Sequence, residues 1–164
     1  MDKEFVDLIN SHRALIFKVC RVYGYEKEYT EDLFQEIVLQ LWKSYPTFRK
    51  ESKVSTWMYR VALNTAISHF RKEVRKPKIT ALDSERIDIP ELDPNHHLQL
   101  DLLSEAIQQL NKVEKAIVIL YLEEKSYDEI SEVMGISKSN VGVRINRIKT
   151  KLEKIIQQRS YELR

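Results

Sequence analysis

The stretch that most constrains the fold lies near the C-terminus, where a single glycine separates two short amphipathic helical patterns. It covers residues 126–152 and reads SYDEISEVMGISKSNVGVRINRIKTKL. Ser126 and Ser137 each precede one of the patterns, in the position where a hydroxyl group caps a helix N-terminus. Gly135 stands between them, where a tight turn needs a residue that adopts positive φ without strain. The stretch therefore predicts two helices joined by a turn, a helix-turn-helix.

A steep change of charge accompanies this motif, although the whole chain carries a formal net charge of only +2. From Lys138 to Arg159 the sequence holds seven basic residues and one acid, Glu153. The preceding residues 101–132 hold eight acids and three lysines. Because a cationic helix attracts polyanions and an acidic one repels them, the second helix of the motif is the predicted nucleic-acid contact.

The second helix of the motif has an apolar side and a polar side. Its predicted buried residues are Val141, Ile145, Ile148 and Leu152. The residues off this stripe are Lys138, Ser139, Asn140, Val143, Arg144, Asn146, Arg147 and Lys149. Arginine and asparagine form bidentate bonds with base edges, while lysine, serine and the helix N-terminus bind phosphates. The pattern predicts a helix that enters the major groove; the alternative is a solvated basic face.

The rest of the chain follows the 3.6-residue period of helices, and no strand alternation persists anywhere. Apolar spacing predicts one helix over residues 4–23, ended by Gly24 in positive φ. A second helix is predicted over residues 30–44 with Thr30 as its cap, and a third from Ser55 to about residue 76. Two more are predicted over residues 98–110 and 112–122. The predicted fold class is all-α.

A segment without helical period separates the first three helices from the rest. Residues 77–97 contain Pro77, Pro90 and Pro94, and acids outnumber bases there. Such a composition is typical of a linker. The sequence thus predicts two small helical domains, residues 1–76 and 98–164, joined by a flexible acidic linker over residues 77–97.

The third predicted helix carries a polar, mostly basic edge. Arg60, Asn64, Ser68, Arg71 and Arg75 recur at helical spacing, and Trp57 precedes them on nearly the same side. A polar loop with Phe48 comes just before this helix. Aromatic rings, amides and cations together suit unstacked bases, which stack on rings and present their edges to amides. The hypothesis is a single-strand surface; the alternative makes Trp57 and Phe48 anchors of the core.

The second predicted helix exposes a face of different chemistry. Asp32, Gln35, Glu36, Leu39 and Lys43 lie opposite its apolar stripe, and further acids precede it. Because this face would repel DNA, it is either a protein-docking surface or plain solvated surface.

Other classes of protein lack support in the sequence. No apolar run reaches the roughly 20 residues that cross a bilayer, and the N-terminus lacks the apolar stretch of a signal peptide. The three glycines are far apart, which excludes the Gly-rich nucleotide loops. The four histidines and the lone Cys20 have no metal-ligand spacing. We therefore expect no enzyme activity, no cofactor, no metal and a cytoplasmic location.

Two segments resemble a known family. The stretch DLFQEIVLQLWKSYPTFRKESKVSTWMYRVALNTAISHFRK resembles region two of the extracytoplasmic-function sigma factors. The stretch YDEISEVMGISKSNVGVRINRIKTKL is similar to their region four. The resemblance implies an all-α subunit that binds core RNA polymerase, through the β′ clamp helices and the β subunit, and directs it to promoter DNA. It also implies that binding energy drives strand opening without nucleotide hydrolysis.

The resemblance further implies roles for individual residues. Core-polymerase binding falls to Asp32, Gln35 and Glu36, with Leu39 on the same face. The minus-ten contacts are Phe48, Trp57, Arg60, Asn64 and Arg71. The minus-thirty-five contacts are Lys138, Ser139, Asn140, Val143, Arg144, Asn146 and Arg147. Within the second set, Phe48 and Asn64 match positions that capture a flipped base, and Trp57 matches the aromatic at the upstream edge of the bubble.

Two residues depart from the family pattern, and one rival function stays open. Ser131 replaces the usual alanine, and its hydroxyl is expected to bond back to a carbonyl. Gly142 costs the recognition helix about 1 kcal/mol of helix propensity and is expected to allow close approach to DNA. The family commonly has anti-sigma partners, although no residue identifies one here. The rival is a polymerase-independent helix-turn-helix regulator, which would bind a palindrome as a dimer.

Overall fold

The computed structural model of the protein describes residues 2–24, 26–74 and 94–164, with the side chains of residues 2–24, 26–69 and 101–164. Within these ranges the chain forms eight α-helices and one 3-10 turn and contains no strand. This confirms the all-α prediction. The chain divides into two compact units, Met1–Glu85 and Arg86–Arg164. Residues 77–93 of the predicted linker lie outside the described residues, so the domain boundaries stay predictions.

The N-terminal segment forms two helices where the sequence predicted one. Helix α1 spans Lys3–Ser11 and α2 spans Arg13–Tyr23, with His12 between them at φ −114° and ψ 19°. The His12 ring Nδ1 lies 3.0 Å from the carbonyl oxygen of Leu8, and its backbone N–H also bonds within the last turn of α1. These bonds close the last turn of α1, and apolar periodicity does not reveal the break because both helices bury the same side.

Gly24 and Thr30 lie next to each other, and neither has the role that the sequence predicted for it. Gly24 has φ −111° and ψ 133°, which is extended backbone and not the predicted positive φ. A Cβ atom there would lie 2.7 Å from Thr30 Oγ1 and 2.8 Å from the carbonyl oxygen of Cys20. Glycine is therefore needed because any side chain would clash with these two atoms. Helix α3 spans Lys27–Ser44. Thr30 is therefore inside the helix, where its hydroxyl donates to the carbonyl of Glu26 and caps nothing.

The first unit packs α2, α3 and α4 around one apolar core. A 3-10 turn that contains Pro46, Tyr45–Thr47, directly follows α3, and α4 spans Val54–Val74. The core residues that are fully buried include Phe5, Ile16, Leu33, Ile37, Leu41, Met58 and Leu63. Cys20 is buried among them, and desolvation raises the pKa of its thiol to about 12. The thiol is thus protonated at neutral pH and inert.

The second unit contains four helices in its described residues, 94–164. Helix α5 spans Pro94–Gln108, and begins at Pro94 rather than at residue 98 because proline is favoured in the first helical turn. Helix α6 spans Lys112–Leu122 and α7 spans Tyr127–Met134, while α8 spans Lys138–Glu162. Asn111 and Glu114 form a reciprocal capping box at the start of α6. None of the described helices is both long enough and apolar enough to cross a membrane.

Candidate functional site

The helix-turn-helix forms through the residues that the sequence singled out. Ser126 Oγ accepts a bond from the Glu129 N–H at 3.1 Å, and Ser137 Oγ accepts one from the Asn140 N–H at 3.2 Å. Gly135 adopts φ 67° in the turn between α7 and α8. All three local predictions are confirmed. The two caps rest on hydrogen bonds between residues three positions apart, and the turn rests on one backbone angle.

The Ser131 side chain of α7 forms a hydrogen bond across the turn between α7 and α8. Its hydroxyl donates to the carbonyl oxygen of Ile136, five residues ahead across the turn. The expected bond back to the carbonyl of its own helix was therefore wrong in direction. Because Ile136 immediately precedes the N-cap of α8, this bond ties the start of the recognition helix to α7.

Burial along α8 separates its two sides. Val141, Ile145 and Ile148 are buried, and Leu152 is half-buried at the end of the same stripe. The side chains of Lys138, Ser139, Asn140, Val143, Asn146 and Arg147 are exposed, and that of Arg144 is half-buried. Val143 is notable because this apolar side chain remains 48% exposed beside polar neighbours. An exposed methyl-bearing side chain can contact the thymine methyl group in a major groove.

A hydrogen bond and an ion pair within the protein orient some of the side chains that are predicted to contact DNA. Arg144 Nε donates to Asn140 Oδ1 at 3.2 Å, so the guanidinium and the amide form one unit. Lys138 Nζ lies 3.3 Å from Asp128 Oδ2 of α7, with both groups open to solvent. A phosphate near this lysine therefore competes with the Asp128 carboxylate.

Other side chains of α8 are exposed but also contact α6 or α7. Lys149 Nζ lies 4.7 Å from the centroid of the Tyr121 ring, and a hydrogen bond with Tyr121 raises the pKa of Lys149. Lys151 Nζ lies 3.0 Å from Glu114 Oε2. A Cβ atom added at Gly142 would lie 3.5 Å from the Tyr127 ring, which is ordinary contact. Gly142 thus borders α7, and the expectation that it allows close approach to DNA stays a prediction.

The first unit carries the predicted single-strand surface on α4. Asn64 and Ser68 are exposed and Arg60 is half-buried, whereas the side chain of Arg71 lies outside the described residues. Trp57 is only 8% exposed, and the half-buried Phe48 ring stacks on it with centroids 4.6 Å apart and planes 24° apart. The core-anchor interpretation therefore holds for Trp57. Phe48 is the outer ring of this pair.

The predicted docking face of α3 divides into two parts. Asp32 and Gln35 are exposed, and Leu39 is 44% exposed despite being apolar. Glu36 is half-buried, and its Oε1 accepts a bond from Gln40 Nε2 at 2.8 Å. The sequence grouped these residues by helical spacing alone, and the structure turns Glu36 toward α4.

A cavity of about 300 Å³ lies between α3 and α4 of the first unit. Its lining residues are Glu36, Gln40, Asn64, Thr65, Ser68 and His69. The His69 ring packs edge-on against Tyr29 at 5.2 Å, and its Nδ1 is buried without a hydrogen-bond partner in the described part of the protein. Sequence reasoning missed Gln40, Thr65 and His69, because only the packing of two helices brings them to Glu36 and Asn64.

Comparison with known families identifies both units. Sigma-70 region 2 matches residues 8–76 and Sigma-70 region 4 matches residues 100–152. The chain is 30% identical to the ECF RNA polymerase sigma factor SigW of Bacillus subtilis, over 92% of this chain and 87% of that protein. It belongs to the ECF sigma factors. A second relative, the ECF RNA polymerase sigma-E factor of Haemophilus influenzae, is also 30% identical, over 77% of this chain and 74% of its own length.

The fold agrees with this family. The sigma factor RpoE of Bartonella quintana, solved in complex with the anti-sigma factor NepR, superimposes with a TM-score of 0.74 over 95% of this chain and 98% of its own. At 18% identity this similarity supports the fold alone. The protein is thus a promoter-recognition sigma factor that binds RNA polymerase, and core polymerase and promoter DNA are its partners. The rival, a polymerase-independent regulator, is not favoured.

Proposed function

We propose that the sigma factor divides its task among three surfaces. The outer face of α3 docks on the β′ clamp helices, α8 reads the minus-thirty-five duplex, and α4 with its preceding loop holds the unpaired minus-ten strand. The energy of strand opening comes from binding, and the protein catalyses no reaction of its own. The observation that carries this proposal is the distribution of exposed groups: acids, an amide and a leucine on α3, but cations and amides on α8.

The docking surface consists of Asp32, Gln35 and Leu39, with Glu36 at its edge. A 44% exposed leucine between polar groups is the kind of anchor that a partner helix covers. The carboxylate of Asp32 sets orientation and rejects DNA by repulsion. These properties favour a protein partner with a complementary basic and apolar surface.

The minus-thirty-five surface consists of the N-terminal half of α8. Val143, Asn146 and Arg147 are proposed to contact base edges, and the residues proposed to hold the backbone are Lys138, Ser139, Asn140 and Arg144. Support comes from the exposure of these side chains beside a capped helix N-terminus. With about five phosphates neutralised, log K should fall against log salt with a slope near −4.5.

The minus-ten surface consists of Phe48, Trp57, Arg60, Asn64 and Arg71. A flipped base stacks on Phe48, which Trp57 supports from behind, while Asn64 bonds to the base edge. Arg60 and Arg71 hold the phosphates of the same strand. The stacked pair of rings supports this arrangement, because a ring held at a fixed angle costs less entropy when a base stacks on it.

The decisive experiment is transcription in vitro with core polymerase and the full chain on genomic promoter fragments. We expect initiation at specific start sites only when the protein is added. Initiation at the same sites by core polymerase alone would contradict the proposal. Tight binding of the free protein to a palindrome, together with a dimer in solution, would instead support the rival regulator.

The docking surface has its own test. Asp32→Ala combined with Glu36→Ala should lower affinity for core polymerase in a pull-down, while circular dichroism of the variant stays native. Glu4→Ala combined with Asp7→Ala serves as the matched control, since both acids are exposed and lie on α1, not on α3. Equal polymerase capture by all three proteins would remove this role from α3.

We further propose that the protein works in the cytoplasm, where polymerase acts, and that an anti-sigma protein controls it. Support for such a partner is that the structurally similar RpoE of Bartonella quintana is bound by NepR. The functional domains are proposed as residues 1–76 and 98–164, with residues 77–97 between them, of which residues 94–97 form the first turn of α5. An anti-sigma protein should compete with core polymerase in a pull-down of the full chain.

A further inference from the structure

A continuous row of aromatic rings leads from α1 to Phe48. It begins with Phe5, whose fully buried ring meets the Tyr45 ring edge-on with centroids 5.4 Å apart. The centroid of the Tyr45 ring lies 6.4 Å from that of Trp57, and the Trp57 ring stacks on Phe48. These separations lie within the range in which aromatic pairs attract each other. The row therefore links the N-terminal helix to the loop that precedes α4.

Tyr45 also contacts this loop through its backbone. Its carbonyl oxygen accepts a hydrogen bond from the Phe48 N–H at 3.1 Å, at the end of the 3-10 turn. Pro46 restricts the backbone angle φ inside the turn. The Thr47 hydroxyl donates to a carbonyl in the last turn of α3 at 2.8 Å. Tyr45 thus holds Phe48 in two ways, through the row of rings and through its own carbonyl.

The loop itself, residues 48–53, is mostly polar. It reads FRKESK, so Phe48 is its one apolar residue. The side chains of Arg49, Lys50 and Glu51 are exposed. Lys50 has φ 57°, in the left-handed region that a residue with a side chain adopts at a cost. Because a polar loop gains little free energy from burial, its placement depends on the contacts that Phe48 makes.

We propose that Tyr45 is a positioning residue for capture of the unpaired minus-ten strand and that Phe5 supports it. The inference rests on the proposed role of Phe48 in stacking on a flipped base. Tyr45 acts through Trp57 and the turn, which together keep the Phe48 ring in place before the strand arrives. A ring that is already ordered loses less conformational entropy when a base stacks on it, so the strand binds more tightly.

This arrangement gives α1 a part in strand capture. The match to Sigma-70 region 2 begins at residue 8, so Phe5 precedes the matched segment. The competing interpretation is that the rings serve stability alone. In that case the effect of Tyr45 on strand binding is independent of the Phe48 ring. Positioning predicts the opposite, because Tyr45 then acts only through Phe48 and the two substitutions are not additive.

The test measures how tightly the holoenzyme, formed from core polymerase and the full chain, binds a forked promoter fragment whose minus-ten strand is unpaired. Tyr45→Leu removes the ring but keeps an apolar side chain, and should lower the affinity about fivefold. Tyr45→Phe keeps the ring and should bind as the native protein does. In a Phe48→Ala background, Tyr45→Leu should add a loss of less than about twofold, because no ring is left to position.

Phe17→Leu is the matched control for loss of a ring. The half-buried Phe17 ring of α2 stacks on Phe34 of α3 with centroids 4.7 Å apart, and neither belongs to the row. Phe17→Leu should therefore lower the free energy of unfolding without changing the affinity for the unpaired strand. The same fragment trimmed to its minus-thirty-five duplex is the second control, and every variant should bind it equally.

The possible results separate this inference from the proposed function. An equal loss from Tyr45→Leu with and without the Phe48 ring, or no loss at all, overturns the inference. If circular dichroism shows that Tyr45→Leu does not fold, Phe5→Leu decides by the same criterion, since it removes the supporting ring and leaves Tyr45 in place. Native affinity of Phe48→Ala for the forked fragment would contradict the proposed role of Phe48 itself, and this inference with it.

Discussion

The two proposed DNA surfaces differ in one respect: the residues that form the first lie close together along the chain, and those that form the second do not. The surface on α8 comes from one helix, and its start is fixed by Ser137 and Gly135 within a few residues. The surface on α4 also depends on the preceding loop, because Phe48 of that loop stacks on Trp57 only when the loop packs against the helix. The proposed duplex surface can thus form locally, whereas the proposed single-strand surface needs tertiary structure.

The strongest test of this comparison concerns the two stacked rings of the first unit. Trp57→Ala should lower the free energy of unfolding by about 3–5 kcal/mol, because the ring is 8% exposed and its loss leaves a core cavity. Denaturant titration of the full chain measures this change.

Phe48→Ala is the matched variant for the same stack. It should cost less stability, since Phe48 is only half-buried, but it should weaken binding of the unpaired strand by about 1–3 kcal/mol. A larger loss of stability in Phe48→Ala than in Trp57→Ala would reverse the assignment of the outer and inner rings.

On α8 the comparison is between two neighbouring cations. Arg147→Ala should cost about 1–3 kcal/mol of duplex affinity and relax selection at one base pair, because Arg147 is exposed on the groove side. Lys149→Ala should have the smaller effect, since its ammonium lies over the Tyr121 ring. Competition binding of holoenzyme to minus-thirty-five duplexes measures both, and equal losses would show that Lys149 leaves Tyr121 to reach DNA.

The local origin of the α8 surface can be tested at its cap. Ser137→Ala removes the acceptor for the Asn140 N–H and should lower the free energy of unfolding by about 1 kcal/mol. Ser137→Asp, which keeps an acceptor at the N-cap, should restore most of the stability. Thermal melts of the full chain distinguish the two, and a melt unaffected by Ser137→Ala would contradict a local origin.

The smallest expected effect concerns the ion pair between α7 and α8. Asp128→Asn removes the carboxylate that competes with DNA phosphate for Lys138. Because the pair is open to solvent, duplex affinity should rise by less than about 1 kcal/mol and the gain should fade at high salt. A fall in affinity on this substitution would mean that Asp128 orients Lys138 for DNA instead of masking it.

The errors in the sequence-based fold do not follow this division, because they concern local contacts that have no standard residue pattern. The caps at Ser126 and Ser137 and the turn at Gly135 were correct, because each depends on bonds between residues at most a few positions apart. Gly24 was misinterpreted, since the reason for a glycine there is the nearness of the Thr30 hydroxyl and not a backbone angle. The break at His12 was missed because a ring-to-carbonyl bond has no signature in apolar spacing.

By itself, the sequence determined the helical class, the caps and turn of the helix-turn-helix, and the charge on which the proposed partner of each helix rests. These properties depend on residues near in the chain, which interact in the same way in any context. Only the tertiary structure decided that Trp57 lies behind Phe48 and that Glu36 turns from the docking face to a cavity with Asn64 and His69. Helical spacing fixes which side of a helix a residue occupies, but the neighbour it meets there depends on which helices pack together.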